Sequence, residues 1–523
     1  MTHYSSTAAA DLPSTGSLSQ DGPSHDSQHR RYVPFFGYPI SLLVKKRPTG
    51  NGPNRPHIHI LDDYPLLNIF SFSRPEILDE CEVDSQSLKG GEVEWNCERW
   101  WYRLVKVCRR WRYIVLESAS YLRLALVCAR GTPVEDMLAH SAPLPLIIDH
   151  FFSEYEITAE DEEGITFALL HRDRVSRIRL GPISQKLINL FDGEFPILEY
   201  LLILPQWRQS FSQSGNFPET FRAPHLRHLL LTSFHIPIES PLFTTTSLVT
   251  LSLNSIPGSA YFDPNALLQW VSLMPELEIL EIYFDTHLST HIGRQLLHTP
   301  IMTRVTLPNL RCLGFKGDSA YLEALLPLVT LPLLEKLKVY FFYKFAHSIP
   351  HLQQFMGTAE KFWPNTITLA FKSRCVEMMV YPHEGAREYT LSLSLGTRTI
   401  DRGLASAMRV FQKLRTVFST VEHITLKYDG RTTISRLIQA EPDRTQWREL
   451  LRLFVNVKTL FVDGPLVEQL SHALQPGTGE SPTELLPEVQ ELSCPALANF
   501  VNAFTPFIDA REKAGRPVTM ANP

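Results

Sequence analysis

Asp263-Pro-Asn-Ala-Leu-Leu-Gln-Trp-Val-Ser-Leu-Met-Pro-Glu-Leu-Glu-Ile-Leu-Glu-Ile282 reads as one helix followed by one strand. Asp263 can cap a helix, and Pro264 suits its first position, where no intrahelical amide bond is lost. Leu267, Leu268, Val271 and Met274 then form an apolar stripe at helical spacing, and Pro275 stops the helix. Leu277-x-x-Leu280-x-Ile282 follows, with the period-two alternation of a strand that buries one face.

The Leu-x-x-Leu-x-Leu pattern recurs outward from this unit. Copies stand at Leu198/Leu201/Ile203, Leu226/Leu229/Leu231, Leu248/Leu251/Leu253, Leu310/Leu313/Phe315 and Leu334/Leu337/Val339. Weaker copies stand at Val421/Ile424/Leu426 and Val457/Leu460/Val462, with fragments at Ile367/Leu369 and Leu391/Leu393. The spacing is irregular, roughly 22 to 36 residues. One strand and one helix cannot cover their own leucines, so stacked neighbours must bury them, at about 1.5–3 kcal/mol per fully buried side chain. The pattern resembles a degenerate leucine-rich repeat. The usual Asn or Cys after the strand is replaced by Phe234, Ile256, Asp285, Asp318 and Phe342. The expected fold is α/β: a small all-α module followed by an irregular solenoid with a parallel concave sheet and helices on its convex side.

Upstream, Leu104-Val-Lys-Val-Cys-Arg-Arg-Trp-Arg-Tyr-Ile-Val115 carries apolar residues at helical spacing, and the spacing alone predicts one amphipathic helix. Leu61-Asp-Asp-Tyr-Pro-Leu-Leu-Asn-Ile-Phe70 reads as a second, with Asp62 or Asp63 able to cap it and Pro65 in its first turn. Together the two stretches resemble the halves of an F-box. The opening departs from the family pattern, with Asp62 where a Pro is usual and Tyr64 where a Glu is usual. An insertion from Pro75 to Asn96 separates the halves. Arg123 to Asp149, R-L-A-L-V-C-A-R-G-T-P-V-E-D-M-L-A-H-S-A-P-L-P-L-I-I-D, resembles the segment after the F-box in a large group of proteins of mushroom-forming fungi.

The resemblance implies a substrate-recognition subunit of a ubiquitin ligase and no catalytic residues on this chain. A Skp-family adaptor, and through it a cullin, would dock on residues among Leu61, Leu66, Leu67, Ile69, Phe70, Leu104, Val105, Cys108, Trp111 and Ile114. An unidentified protein target would lie on the solenoid. The alternative is a scaffold for protein–protein interaction outside the ubiquitin system, its vestigial F-box capping the solenoid. A third, weaker reading is an enzyme with a divergent site in the solenoid, which would need converging carboxylates or histidines.

Strand residues that alternate with the buried leucines should line the concave face. They are His228, Thr232, Thr250, Asn254, Glu281, Tyr283, Lys316, Lys336, Lys338, Tyr340, His423 and Lys427. Such a face either recognises a partner or is merely solvated.

The organisation expected is a disordered tail over 1–56, the helical module over 57–125 and a transition segment over 126–174. The solenoid follows over 175–495, then a capping helix and tail over 496–523. In the transition segment, Thr132-Pro133 opens a helix and Leu144–Asp149 is a buried strand, while the acidic tract Glu154–Glu163 reads as a solvated loop. Near the end, Thr505-Pro506 opens a helix that Gly515 closes, with Pro517 beyond.

Composition sets the remaining bounds. The chain has 523 residues, 44% of them hydrophobic, and a net charge of −5, which argues for several packed units and against a nucleic-acid binder. Seven scattered cysteines (Cys81, Cys97, Cys108, Cys128, Cys312, Cys375 and Cys494) fit a reducing compartment, without disulfides or a zinc knuckle. The N-terminus has no secretory signal, and no apolar run is long enough for a membrane span, so a cytoplasmic or nuclear protein is expected. Lys45-Lys-Arg-Pro48 reads as solvated linker or a nuclear-import patch.

No cofactor is implied. Gly477-Thr-Gly479 lacks the lysine of a phosphate loop, and neither a G-x-S-x-G elbow nor an H-E-x-x-H pair occurs. His57 and His59 could share one side of a strand, but no third metal ligand stands at useful spacing. Cys108 beside Arg109 reads as a packed structural thiol rather than a reactive one. Trp100 and Trp101 read as core, while Trp111 could be core or a partner-facing anchor.

Overall fold

The computed structural model of the chain describes residues 61–74, 99–141, 143–151, 157–181, 183–204, 215–237, 239–286, 303–342, 349–358, 362–372, 375–396, 400–429, 444–477, 480–495 and 502–521. The tail over 1–56, Lys45–Pro48, His57, His59 and the insertion Pro75–Asn96 lie outside these residues. The described residues belong to one compact unit of mixed α/β structure.

Among the described residues, sixteen strands form one sheet. In chain order they are β1 (Leu126–Ala129), β2 (Leu146–His150), β3 (Val175–Leu180), β4 (Tyr200–Ile203), β5 (His228–Thr232) and β6 (Thr250–Ile256). Next come β7 (Ile279–Phe284), β8 (Cys312–Gly317), β9 (Lys336–Phe341), β10 (Thr366–Lys372) and β11 (Cys375–Tyr381). The last are β12 (Leu391–Gly396), β13 (His423–Asp429), β14 (Thr459–Val462), β15 (Glu491–Ser493) and β16 (Thr519–Ala521). The sheet thus starts at Leu126, well before the expected boundary at 175.

Each full or weaker copy of the leucine pattern lies at a strand. Its first residue sits two positions before the strand: Leu198, Leu226, Leu248, Leu277, Leu310, Leu334, Val421 and Val457 are all buried. Many of these residues close a tight turn, as where Leu226 N–H donates to Ala223 O and Leu277 N–H to Met274 O. The next two apolar positions of each copy face a core shared with the helices. Leu267, Leu268 and Val271 of the helix Pro264–Ser272 belong to it, and Asp263 accepts from Asn265 N–H as its cap. Among the described residues, polar side chains just before the strands bond carbonyls of the preceding unit, as Asn309 does to Pro275 O at 3.0 Å and Asn456 to Ser419 O, and aromatic rings pack between units. Tyr261 stacks on Phe284 at 3.7 Å between centroids, and Phe284 packs edge-on against Tyr321 and Phe315. Such ring pairs add about 0.5–1.5 kcal/mol each beyond the area they bury.

The expectation of a parallel sheet fails at β11, which runs antiparallel to both neighbours. The spatial order is β9-β12-β11-β10-β13. The reason is local: Lys372 and Cys375 are joined by a two-residue link, which permits a hairpin but not the crossover that parallel strands require. The Ile367/Leu369 and Leu391/Leu393 fragments are therefore full strands placed out of sequence order.

Four further expectations are corrected. Leu104–Val115 is not one helix: a 3-10 turn at Leu104–Lys106 ends before Cys108, whose extended backbone (φ −158°) starts a new helix, Arg109–Glu117. The acidic tract is helical from Ala159, because Thr158 and Asp161 form a reciprocal capping box that buries the Asp161 carboxylate. The helix after Thr132 starts at Val134, with Pro133 as its cap residue. Past Gly515 (φ +74°), Thr519–Ala521 is a strand on β15 rather than a tail.

Candidate interaction surfaces

Two helices carry the N-terminal surface: α1 (Asp63–Phe72) and α2 (Arg109–Glu117). Leu66 and Phe70 of α1 and Ile114 and Val115 of α2 are buried, as helical spacing requires. Asp62 occupies the cap position of α1 without a side-chain cap bond, while Asp63 pairs with Arg110 at 2.7 Å. Arg110 also donates to Leu61 O, and Phe70 meets Trp111 with ring centroids 4.7 Å apart. The Cys108 sulfur accepts from Trp111 N–H at 3.4 Å, so this thiol caps α2 rather than packing along a continuous helix. Trp101 is buried and donates to Ala125 O at 3.2 Å, fixing the helices to the entrance of β1.

The ten residues expected to meet an adaptor divide three ways. Leu66, Phe70, Val105 and Ile114 are buried within the chain; Leu67, Leu104, Cys108 and Trp111 are half-buried; Leu61 and Ile69 are exposed. The sequence reading missed the most exposed apolar side chains of this region, Phe72 (88%), Tyr64 (72%) and Tyr113 (64%), together with Val107, Leu116 and Tyr121. Eight of the fourteen exposed large apolar side chains among the described residues lie between Leu61 and Tyr121. A concentration of this kind marks an interaction surface more often than chance exposure does. Part of its signal was available: Tyr64, Ile69 and Phe72 of α1 and Tyr113 and Leu116 of α2 are apolar positions off the buried pairs Leu66/Phe70 and Ile114/Val115.

The second surface is the sheet face opposite the helices. All twelve residues assigned to it lie on strands, and all but buried Thr250 and exposed Lys427 are half-buried. Its centre is a polar network built around a gap. Glu281, Gly314 and Lys338 are in register on β7, β8 and β9. A Cβ on Gly314 would lie 2.5 Å from Tyr283 Oη and 2.9 Å from Glu281 Cγ. Without one, Glu281 Oε1 reaches Lys338 Nζ at 3.3 Å and accepts from Tyr283 Oη at 3.2 Å. Ser252 donates to Glu281 Oε2 at 2.9 Å, and Asn254 donates to Ser252. Burial, reinforced by the Glu281 charge, holds the Tyr283 hydroxyl protonated, well above the usual tyrosine range.

Around this centre, Lys316 Nζ lies 5.4 Å and 5.9 Å from the ring centroids of Tyr340 and Phe342. Burial pulls its pKa below the ordinary lysine range, with Asp285 opposing the shift. The sequence reading missed Glu377, Ser392 and Ser394, which the alternation in β11 and β12 places on the same face. Ser392 donates to Glu377 at 3.0 Å, and Lys372 pairs with Glu377 at 2.5 Å. His228 and His423 bond Thr250 and Thr459 at 3.1 and 2.7 Å. At the first strands this face is apolar as well as charged. Arg177 lies over Tyr200, Arg179 over Phe151, and Phe151, Tyr200 and Leu202 form a small buried cluster.

Outside both surfaces, a groove of about 800 Å³ runs beside the loops that follow β5 and β6. Asp192, Glu219, His235 and Glu239 line it above Phe217 and Tyr261. The three carboxylates are exposed, and among the described residues His235 pairs with none of them. Among the described residues, no three His, Cys, Asp or Glu side chains come together to hold a metal, and no helix is long and apolar enough to cross a membrane. Cys128 is buried, which pushes its thiol up to about 12, away from reactivity at neutral pH.

A comparison of the chain with models of known protein families finds no match. A search among curated proteins finds no similar sequence.

Proposed function

We propose that the chain is the substrate-recognition subunit of a Skp–cullin–F-box type ubiquitin ligase. It docks on a Skp-family adaptor through α1, α2 and the turn at Leu104–Lys106, and it presents a protein target on the sheet face opposite the helices. The observation that supports this reading is the concentration of exposed apolar side chains between Leu61 and Tyr121, five of the eight on the two helices that bear the F-box-like half-motifs. Ligation would act by proximity, raising the local concentration of target lysines near a charged ligase partner. Neither half of that role needs a catalytic side chain on this chain.

A second reading, a scaffold outside the ubiquitin system, draws on one observation. Leu66, Phe70, Val105 and Ile114 belong to the same continuous core as the sheet's leucines, as a capping module would require. Capture by a purified Skp-family adaptor separates the two. Ile69→Asp with Phe72→Asp alters only exposed positions, so folding, checked by circular dichroism, should survive. Capture of the native chain that the double variant loses supports the adaptor role. Absence of capture by the folded native chain leaves the scaffold.

A further inference from the structure

We propose that the sheet face between β7 and β13 recognises an extended acidic peptide segment that carries an aromatic residue. This rests on the proposal that this face takes the target. Among the described side chains of these strands, Lys316, Lys336, Lys338, Lys372 and Lys427 stand against Glu281 and Glu377. The whole chain, by contrast, has a net charge of −5. The cationic character is therefore local to this face.

The two described strand carboxylates are already committed. Glu281 is held by Ser252, Tyr283 and Lys338, and Glu377 by Ser392 and Lys372. Lys316 is different: its ammonium rests against two rings, and among the described residues no carboxylate pairs with it. Lys427 is exposed in the same register row, which reads Tyr283, Lys316, Tyr340, Ser394, Glu377, Ala370, Lys427 across seven strands. Six inter-strand steps of about 4.8 Å make this row about 29 Å long, which an extended segment of about nine residues would cover.

The chain itself places carboxylates and a ring against two other basic side chains of this face, Lys336 and His423. The reversal at β11 sends the connection between Tyr381 and Leu391 back over the entrance of the parallel strands. There Glu384 lies 3.6 Å from His423 of β13, Glu388 lies 3.9 Å from Lys336 of β9, and the Tyr389 ring lies 4.8 Å from the same lysine. A tyrosine-bearing loop whose two glutamates outnumber its one arginine, Arg387, thus already rests on the rim of the face. Both of its glutamates are largely exposed (72% and 65%), and exposed ion pairs contribute little in water, so an incoming segment can replace them.

The test is fluorescence anisotropy with the full chain and a labelled peptide of about nine residues alternating Glu with Tyr, beside a Lys/Tyr counterpart. The acidic probe should bind and the basic one should not, and binding should fall steeply as salt shortens the screening length. Lys316→Gln and Lys427→Gln, each checked for folding, should weaken binding by about two- to five-fold, the loss of one charge pair. Glu384→Gln with Glu388→Gln should strengthen it by a similar factor, and no change would overturn the competition assigned to the loop. Equal binding of both probes, preference for the basic one, or no binding of either would overturn the proposal. Adaptor capture without probe selectivity removes the acidic-segment assignment alone, whereas selectivity without adaptor capture removes the ligase role and keeps the surface.

Discussion

Asp63 and Arg110, 47 positions apart in the chain, pair at 2.7 Å and tie the start of α1 to the start of α2. Both are partly exposed, at 61% and 36% of their side-chain surface, so the pair sets orientation more than stability. Stability comes from behind it, where Phe70 is fully buried against Trp111. Asp63→Asn should change unfolding free energy by less than about 1 kcal/mol. Phe70→Ala should cost about 3–5 kcal/mol, because it leaves a cavity that the neighbouring rings cannot close. Urea unfolding followed by circular dichroism reads both. A large loss from Asp63→Asn would mean the pair does more than orient.

Gly314 is predicted to be intolerant of even one methyl group. Gly314→Ala places a Cβ against Tyr283 Oη and Glu281 Cγ, and should cost about 1–3 kcal/mol through overpacking. Adding Tyr283→Phe removes the nearer obstacle and should restore part of the loss. Thermal melts of the single and double variants check this; equal melting temperatures for Gly314→Ala and the native chain would refute the packing argument.

His150 makes stability depend on pH. Burial, opposed by Asp161 3.9 Å away and reinforced by Arg130, lowers its pKa to about 4. The unfolded chain binds a proton near the ordinary histidine value of about 6.5, so the neutral folded form is favoured above that pH. As pH falls from about 6.5 towards 4, the unfolded state takes up a proton the folded state refuses, and up to about 3 kcal/mol is lost. The Asp161 carboxylate, whose pKa its hydrogen bonds with Thr158 and Gly131 lower against the cost of burial, adds a further loss at still lower pH. His150→Leu should flatten the first part of the profile and reduce the second only by the His150 charge, the Thr158 and Gly131 hydrogen bonds remaining. Urea unfolding near pH 7 and near pH 4.5 measures the difference, and an unchanged slope in the variant would exclude His150 as its source.

Much of this architecture is written in short-range chemistry. The leucine pattern places every strand from β4 to β9, Asp263 caps its helix, and Gly515 takes the positive φ at which the last helix ends. What the pattern misses depends on one or two residues acting against the local average. The two-residue link after Lys372 reverses a strand and reorders three. The extended Cys108 divides a stretch whose spacing reads as one helix. Thr158 and Asp161 turn an acidic run into a capped helix, a signal present in the sequence but masked by its charge.

The surfaces were legible to different degrees for the same reason. Strand alternation fixes which side chains share a face, and it puts Glu281, Lys316 and Lys338 together correctly. It says nothing of Gly314, whose missing side chain lets Glu281 and Lys338 meet. On α1 and α2 the family resemblance draws attention to apolar positions as such. Four of the ten turned inward, and residues outside the ten, Tyr64, Phe72 and Tyr113 among them, are the most exposed apolar side chains of the region.

The central claim is that this outward face meets an adaptor, and the direct measurement is titration calorimetry of the full chain with a purified Skp-family adaptor. The account predicts saturable one-to-one binding with a negative heat-capacity change, as apolar burial requires, abolished in the folded Ile69→Asp, Phe72→Asp variant. No heat of binding from the folded native chain, or binding that the variant retains in full, would contradict it.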